Sequence, residues 1–596
     1  MKNNISLKSF VQAFPILIIV FLFSCGISGQ VSVKDLQSEI KYLASDSLKG
    51  RLTGSPGDSL AAEFIKNKLA SYGLIPLSGD GLQRFKVTKR IVAGKSNSLL
   101  LNGIKYTPDT DFMPLAFSSN AGLESEVVFA GYGFNINSDS LKWNDYNGID
   151  VKGKWVMLLR GDPENENTKS PFVVFSPDRD KALLAKDMGA AGVLMVSGPL
   201  FDPNDTFESL SSEGFSVDIP VLRIKIEVAD IILLKSKINI AALEKKLNDT
   251  RKPFSFSTKV AINGKAEIVR ELANTRNVVM LLPGEDEKLK NEYLIIGAHF
   301  DHLGMGGQGS GSRAPDTLGI HHGADDNASG VAMMLELARK FAETKGSHKR
   351  SIVCLAFTGE EEGLLGSKHF TDDPGINLSG VNAMINLDMV GRLNETNNLQ
   401  IFGVGTAAGL KNLIYSKSDT SVIKLTLSDE GYGPSDHSSF YGKNIPVLFY
   451  FTGAHLDYHT PMDTWDKINF DGMVKISGLI FNVAEELASS PVRLQFKESG
   501  PKVETVRYTR GKGVTLGIMP DFAGVIKNGL RADFVTPGKP AALGGMQKGD
   551  IIIFINGKPV NNIEDYMFRM GQLKHGETIS VEVLRNDKKV VLLIQL

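Results

Sequence analysis

His299, Asp326, Glu361, Asp388 and His459 are five side chains of the kinds that ligate divalent cations, and each falls where an apolar run ends or a helix begins. Imidazole and carboxylate donors together suit zinc, with bonds near ~2.0–2.2 Å, and cobalt or manganese could take its place. Glu360, beside Glu361, is left over as a free carboxylate able to accept a proton. Two ions that activate one water, with a base beside them, amount to metal-assisted hydrolysis. One allocation gives His299 and Asp388 to the first ion, Glu361 and His459 to the second, and Asp326 to both.

Residues so far apart in the chain meet only if regular elements carry them to one edge. From about residue 265 the apolar runs NVVMLL, YLIIGAHF, SIVCLAFTG, AMINLDMV and IPVLFYFTG alternate with helical spacing. Each run is continuous rather than alternating, as expected of strands covered on both faces of a mostly parallel sheet. A helix is predicted after Asn327, an N-cap residue, with Val331, Met334, Leu335, Ala338 and Phe341 on one stripe. Another is predicted over Met473 to Leu487. The fold class is therefore α/β, a layered domain whose candidate residues lie at the C-terminal ends of strands, where open sheets of this kind build sites.

In chain order, the strings HFD, GADDNASG, FTGEEEGLLGS, NLDMVGR and YHTPMDT resemble those of the co-catalytic di-zinc aminopeptidases, a family that also holds glutamate carboxypeptidases, transferrin receptors and glutaminyl cyclases. Any one string is weak; five in order are specific. The resemblance implies two zinc ions per chain. It puts the bridging carboxylate at Asp326, directly before Asn327, rather than at Asp325. It also implies Glu360 as general base, Glu361 as ligand and His459 as the last imidazole. Asp301, two residues after His299, would hold that ring in its ligating tautomer. Tyr458 precedes the last ligand, as a tyrosine does in the glutamate carboxypeptidase relatives, and would stabilise a developing oxyanion.

Other polar residues have plainer readings. Glu362 reads as solvated and Asp325 as a structural hydrogen-bonding group. His302, His321 and His322 flank the Gly-rich loop 304–311 and read as rim residues; His437 and His455 read as local polar contacts. Ser435, Asp436 and His437 hold the residue types of a serine hydrolase, but they are adjacent in the chain and no G-x-S-x-G elbow is present.

Lys and Arg total 66 against 67 Asp and Glu, so no overall field favours nucleic acid or anionic lipid. With 42% apolar residues, the 596-residue chain can bury several cores. Residues 1–25 read as an export signal: Lys2 and Lys8, the apolar run Ala13 to Phe23, then Leu22-Phe23-Ser24-Cys25. Eleven residues at ~1.5 Å each fall short of a ~30 Å hydrocarbon core. The last four resemble a bacterial lipobox, which implies lipidation of Cys25, the only membrane attachment expected, and a periplasmic or outer-membrane location. Cys354, in SIVCLAFT, is expected to be a buried thiol.

The peptidase-like region is expected over 31–115 and 265–492. Residues 116–264 carry no cluster of His with carboxylates and resemble an inserted protease-associated domain, β-rich, through VFAGYGF and DMGAAGVLMVSG. Residues 505–596 resemble a bacterial PDZ domain: GDIIIFING is its signature, and Thr515, Leu516, Gly517 and Ile518 would receive a peptide C-terminus or a protein partner on backbone donors. The favoured expectation is an exported exopeptidase that removes N-terminal residues from peptide substrates. A carboxypeptidase, a glutaminyl cyclase or a catalytically inactive binding protein of the same fold are the alternatives. No cluster of arginines suits a substrate carboxylate, which favours the amino-terminal preference.

Overall fold

Five of the strands expected from the apolar runs lie in one sheet of the computed structural model. The structure describes residues 31–499 and 514–596, apart from 139, 140, 166, 168, 209, 211–214, 345, 521–527 and 537. Cys25 and the export signal lie outside the described residues. Strand Tyr293–His299 is central, with Ser351–Phe357 parallel on one side and Val381–Leu387 parallel on the other; Val447–Phe451 runs parallel beyond it. Every residue of Ser351–Phe357 and Val381–Leu387 is buried, so both faces are covered, which is why these strands read as unbroken apolar runs. The edges are antiparallel: Ile268–Leu282 on one flank, and Asn398–Phe402 on the other, which in turn pairs in parallel with Lys424–Leu427.

Helices close the faces. Val33–Leu43 buries Leu36, Ile40 and Leu43 at helical spacing and is capped by the Ser32 hydroxyl, which accepts from the amide of Asp35. Phe470–Ser489 is capped the same way, by Asn469 on the amide of Gly472. The helix expected after Asn327 runs over Gly330–Glu343, behind one tight turn at Ala324–Ser329. The Asn327 side chain still caps it, its Oδ1 accepting from the amide of Gly330 at 2.9 Å, while its Nδ2 donates to the carbonyl of Leu387.

The insert is a second, eight-stranded sheet. It takes in Ser98–Leu101, Ile104–Lys105 and Phe112–Pro114, all upstream of the boundary expected at 116. Ser98–Leu101 is set by antiparallel pairing with Ser255–Ala266, a partner far away in sequence that no local pattern reveals. Two long strands, Leu82–Ala93 and Ile268–Leu282, pair as an antiparallel ribbon joining the insert to the central sheet.

The last module has six strands around a core that includes Leu516, Ile552, Val581 and Ile594. It docks on the insert through its helix Ile563–Met570. Arg179 of the insert helix Asp178–Asp187 pairs with Asp565 at 2.7 Å and with Glu564 at 2.6 Å. Asp187, at the end of that helix, accepts from Arg569 at 3.1 Å, and Phe568 packs on the insert core. On the other side Lys548 reaches the carbonyl of Gly442 and the side chain of Asn444, 3.0 Å away, in the peptidase-like region. Among the described residues no helix is long and apolar enough to cross a membrane.

Candidate metal centre

His299 is the last residue of the central strand, Asp388 follows the end of the next, and Glu360 and Glu361 follow Ser351–Phe357. Asp326 sits in the turn before the helix Gly330–Glu343, and His459 comes from the loop after Val447–Phe451. All six side chains meet. Nε2 of His299 lies 3.3 Å from Oδ1 of Asp326, 3.4 Å from Oδ1 of Asp388 and 4.0 Å from Oε2 of Glu360. Nε2 of His459 lies 3.1 Å from Oδ2 of Asp326 and 3.1 Å from Oε2 of Glu361. The two oxygens of Asp326 thus face two different imidazoles, as a carboxylate shared between two cations would.

The donor set suits cations on electrostatic grounds too. Four carboxylates, buried or nearly so, converge, and among the described residues Oδ1 of Asp388 has no hydrogen-bond partner. Charges placed so deep without counter-charge are expensive. Burial pushes the Glu360 carboxyl well above its usual range, and Glu361, Asp388 and Asp436 push it further, against the opposing pull of His299. Burial works against a charge on His459, but its hydrogen bonds to Asp326 and Glu361 win and raise it to about 10. Shifts toward the protonated forms mark a cluster whose charge a bound cation would balance.

A shell of further residues aims this set. Asp301 accepts from the hydroxyl of Thr53 at 3.0 Å and from the amides of Glu360 and Glu361 at 3.2 and 3.3 Å, and its carboxylate lies 3.6 Å from Nδ1 of His299. One residue therefore orients the first imidazole and anchors the turn bearing the two glutamates. Asp463 of the YHTPMDT string, given no role from sequence, accepts from the amides of Asp325 and Asp326 at 2.9 and 3.0 Å. Asp325 is structural, as expected, accepting from Ser329 and from the amide of Gly391. Arg51, also missed, is fully buried and donates to the carbonyls of Leu43, Phe300, His322 and Gly323, so it pins the backbone on both sides of the site. Only its place in the loop GRLTG hinted at a constrained position.

Two readings of individual residues are corrected. His302 is not at the rim: it is 1% exposed, and its Nδ1 lies 2.6 Å from Oε1 of Glu361. His321 is buried as well, held by Ser312 and the carbonyl of Gly319, whereas His322 is partly exposed and pairs with Asp46. Tyr458 is half-buried with its ring stacked on His459, centroids 3.8 Å apart. Burial first, then the surrounding carboxylates, hold its phenol protonated. The Ser435, Asp436 and His437 trio forms no triad. The Ser435 hydroxyl donates to Asp388 at 2.8 Å, while neither ring nitrogen of His437, stacked on Phe449, has a hydrogen-bond partner among the described residues. Leu516 and Gly517 of the PDZ-like loop are buried, Gly517 at φ +75°, with Thr515 exposed and Ile518 half-buried.

Two imidazoles and four carboxylates at the C-terminal edge of a parallel sheet define an α/β protein with a candidate site for divalent cations. Residues 277–484 match the model of peptidase family M28, and residues 506–596 match that of the PDZ domain. The sheet region that carries the site is thus similar to peptidase family M28, and the C-terminal module to PDZ domains. A probable zinc metalloprotease of Pyrenophora teres f. teres is 31% identical over 211 residues, which are 34% of this chain and 40% of that protein. Aminopeptidase YwaD of Bacillus subtilis is 24% identical over 467 residues, 75% of this chain and 83% of that one. The chain thus spans less than half the length of the Pyrenophora relative. Among solved structures, an aminopeptidase from Aneurinibacillus sp. strain AM-1 is 21% identical, covering 79% of this chain and 95% of its own, with a TM-score of 0.45.

Proposed function

We propose that this chain is an exported zinc aminopeptidase that hydrolyses N-terminal residues from peptides, using two zinc ions per chain. The observation that carries the reading is the split carboxylate of Asp326, one oxygen toward His299 and the other toward His459. His299, Asp326 and Asp388 would hold one ion, and His459, Asp326 and Glu361 the other. Zinc bound there supplies a lowered pKa for water and polarisation of the scissile carbonyl. Glu360, whose raised affinity for protons suits the task, takes a proton from the attacking water and returns it to the leaving amine. Asp301 keeps His299 and the glutamate turn in place, and the protonated Tyr458 hydroxyl donates toward the developing oxyanion.

The amino-terminal preference is supported by the name of the Bacillus relative, an aminopeptidase matched over most of its length. Export is supported by the basic and apolar opening segment, and a lipid anchor at Cys25 by the Leu-Phe-Ser-Cys string. Residues 116–264 would act as a protease-associated domain beside the cleft, and the loop Thr515 to Ile518 would take a peptide C-terminus.

The test is hydrolysis of aminoacyl fluorogenic substrates and of N-terminally blocked peptides, with and without chelator. Cleavage of free-amine substrates that chelator abolishes, and that blocking prevents, is expected. Equal cleavage of blocked peptides would overturn the aminopeptidase assignment.

A further inference from the structure

We propose that His302 is a positioning residue of the metal centre: its Nδ1–H clamps Oε1 of Glu361, so that the second oxygen, Oε2, is presented to the side of His459. The inference rests on the zinc reading above and adds a residue to it.

The chain of contacts is short. Nδ1 of His302 is 2.6 Å from Oε1 of Glu361, and Oε2 of the same carboxylate is 3.1 Å from Nε2 of His459. A carboxylate can only accept, so Nδ1 must carry the hydrogen, and a nitrogen that carries a hydrogen has no lone pair for a metal. Bonds of this kind, with one charged partner, are short and strong, which fits the distance. Nδ1 is also 3.8 Å from Oδ2 of Asp326, the oxygen turned toward His459.

The ring has no freedom to do otherwise. His302 is 1% exposed and lies edge-on to His459, with centroids 5.8 Å apart at 71°. Behind it sits Gly323, at φ +56°, where a Cβ would come within 2.6 Å of the imidazole Cδ2. Glycine there leaves the space the ring occupies. Among the described residues Nε2 of His302 is buried with no hydrogen-bond partner, so the polar contacts of the ring run through Nδ1. The arrangement parallels that of Asp301 on the opposite side: Asp301 orients His299 and the glutamate backbone, and His302 orients the glutamate side chain.

Three proteins decide it: the wild type, His302→Asn, whose side-chain amide keeps a donor at the Nδ1 position, and His302→Leu, which keeps the bulk and removes the donor. Zinc uptake by each metal-free protein is followed by isothermal titration calorimetry and by competition with a chromogenic chelator, together with the melting temperature of the metal-free form. Two zinc equivalents are expected for all three, with the weaker site loosened about 10- to 100-fold in His302→Leu and less than about threefold in His302→Asn. kcat at zinc concentrations that saturate both sites should fall in His302→Leu while KM stays near the wild-type value. The inference is overturned if His302→Leu binds both equivalents as tightly as wild type. It is equally overturned if His302→Asn loses a whole equivalent, which would make the imidazole itself a ligand. Should His302→Leu fail to fold, the Asn variant alone decides, by retaining or losing that equivalent. A wild-type protein that takes up no zinc would instead sink the metal reading on which the inference depends, a result distinct from failure of either variant.

Discussion

Replacing Glu360 by glutamine separates proton transfer from metal binding. The side chain is almost isosteric, and Oε2 of Glu360 stands 4.0 Å from His299, farther than either carboxylate proposed to share an ion with that ring, at 3.3 and 3.4 Å. The amide can neither take nor return a proton, and loss of a positioned general base costs about 10²- to 10⁴-fold. At about 1.36 kcal/mol per factor of ten, that is a barrier raised by about 2.7–5.4 kcal/mol. The loss should fall on kcat, with KM little changed, because the group acts on the water and the leaving amine rather than on ground-state binding. Zinc content, read by mass spectrometry of the purified variant, should remain at two per chain. A second sign is worked from burial. The carboxyl of Glu360 is pushed well above its usual range in the metal-free fold. Its stabilising contribution is therefore complete at low pH and is lost as pH rises toward the folded value. Metal-free Glu360→Gln escapes that loss and should melt above the metal-free wild type at pH 8, though not at pH 4. A variant that keeps more than a tenth of wild-type kcat, or that drops one zinc, would refute the role given to Glu360.

Two further predictions lie outside the centre. Glu39, fully buried beside Glu336 and only partly offset by Lys68 and the hydroxyl of Tyr72, is raised by burial from its ordinary 4.5 to about 8. Stability is therefore full below about pH 4.5 and falls as pH rises through 8, and Glu39→Gln should gain about 1–3 kcal/mol over wild type at pH 9 and nothing at pH 4, measured by urea unfolding. Asp187→Ala strands the guanidinium of Arg569, 2% exposed at the junction of insert and PDZ domain. It should weaken that junction by about 3–5 kcal/mol, seen as faster proteolytic release of the PDZ domain with zinc content unchanged.

What could be read from residues alone follows from how far each signal reaches. His299 ends a buried strand, Glu361 and Asp388 follow closely after two others and Asp326 precedes a helix, so these four were legible from strand ends that share one edge. His459, well past Phe451, was reached instead through the YHTPMDT string. The strand Ser351–Phe357 was visible for a local reason, its unbroken apolar run. His302 was misplaced because its neighbours are glycines typical of a surface loop, whereas its burial comes from Gly323 and Glu361, contributed by other loops. Arg51 and Asp463 act on backbone carbonyls and amides, and such partners leave no mark in composition or period. The strand Ser98–Leu101 was missed because a pairing with residues beyond 255 is a long-range event. The docking of Arg179 on Glu564 and Asp565 joins two modules whose sequences are silent about each other.

That docking has a mechanical consequence. The peptidase sheet leads through a two-strand ribbon to the insert, the insert is gripped by the terminal module, and Lys548 of that module returns to Gly442 and Asn444. The three bodies therefore close a circuit rather than hang as beads on a string. In such a circuit the insert cannot swing on its ribbon alone: either Lys548 lets go or the ion pairs around Arg179 and Arg569 break, and the lysine, at an exposed contact, is the weaker link.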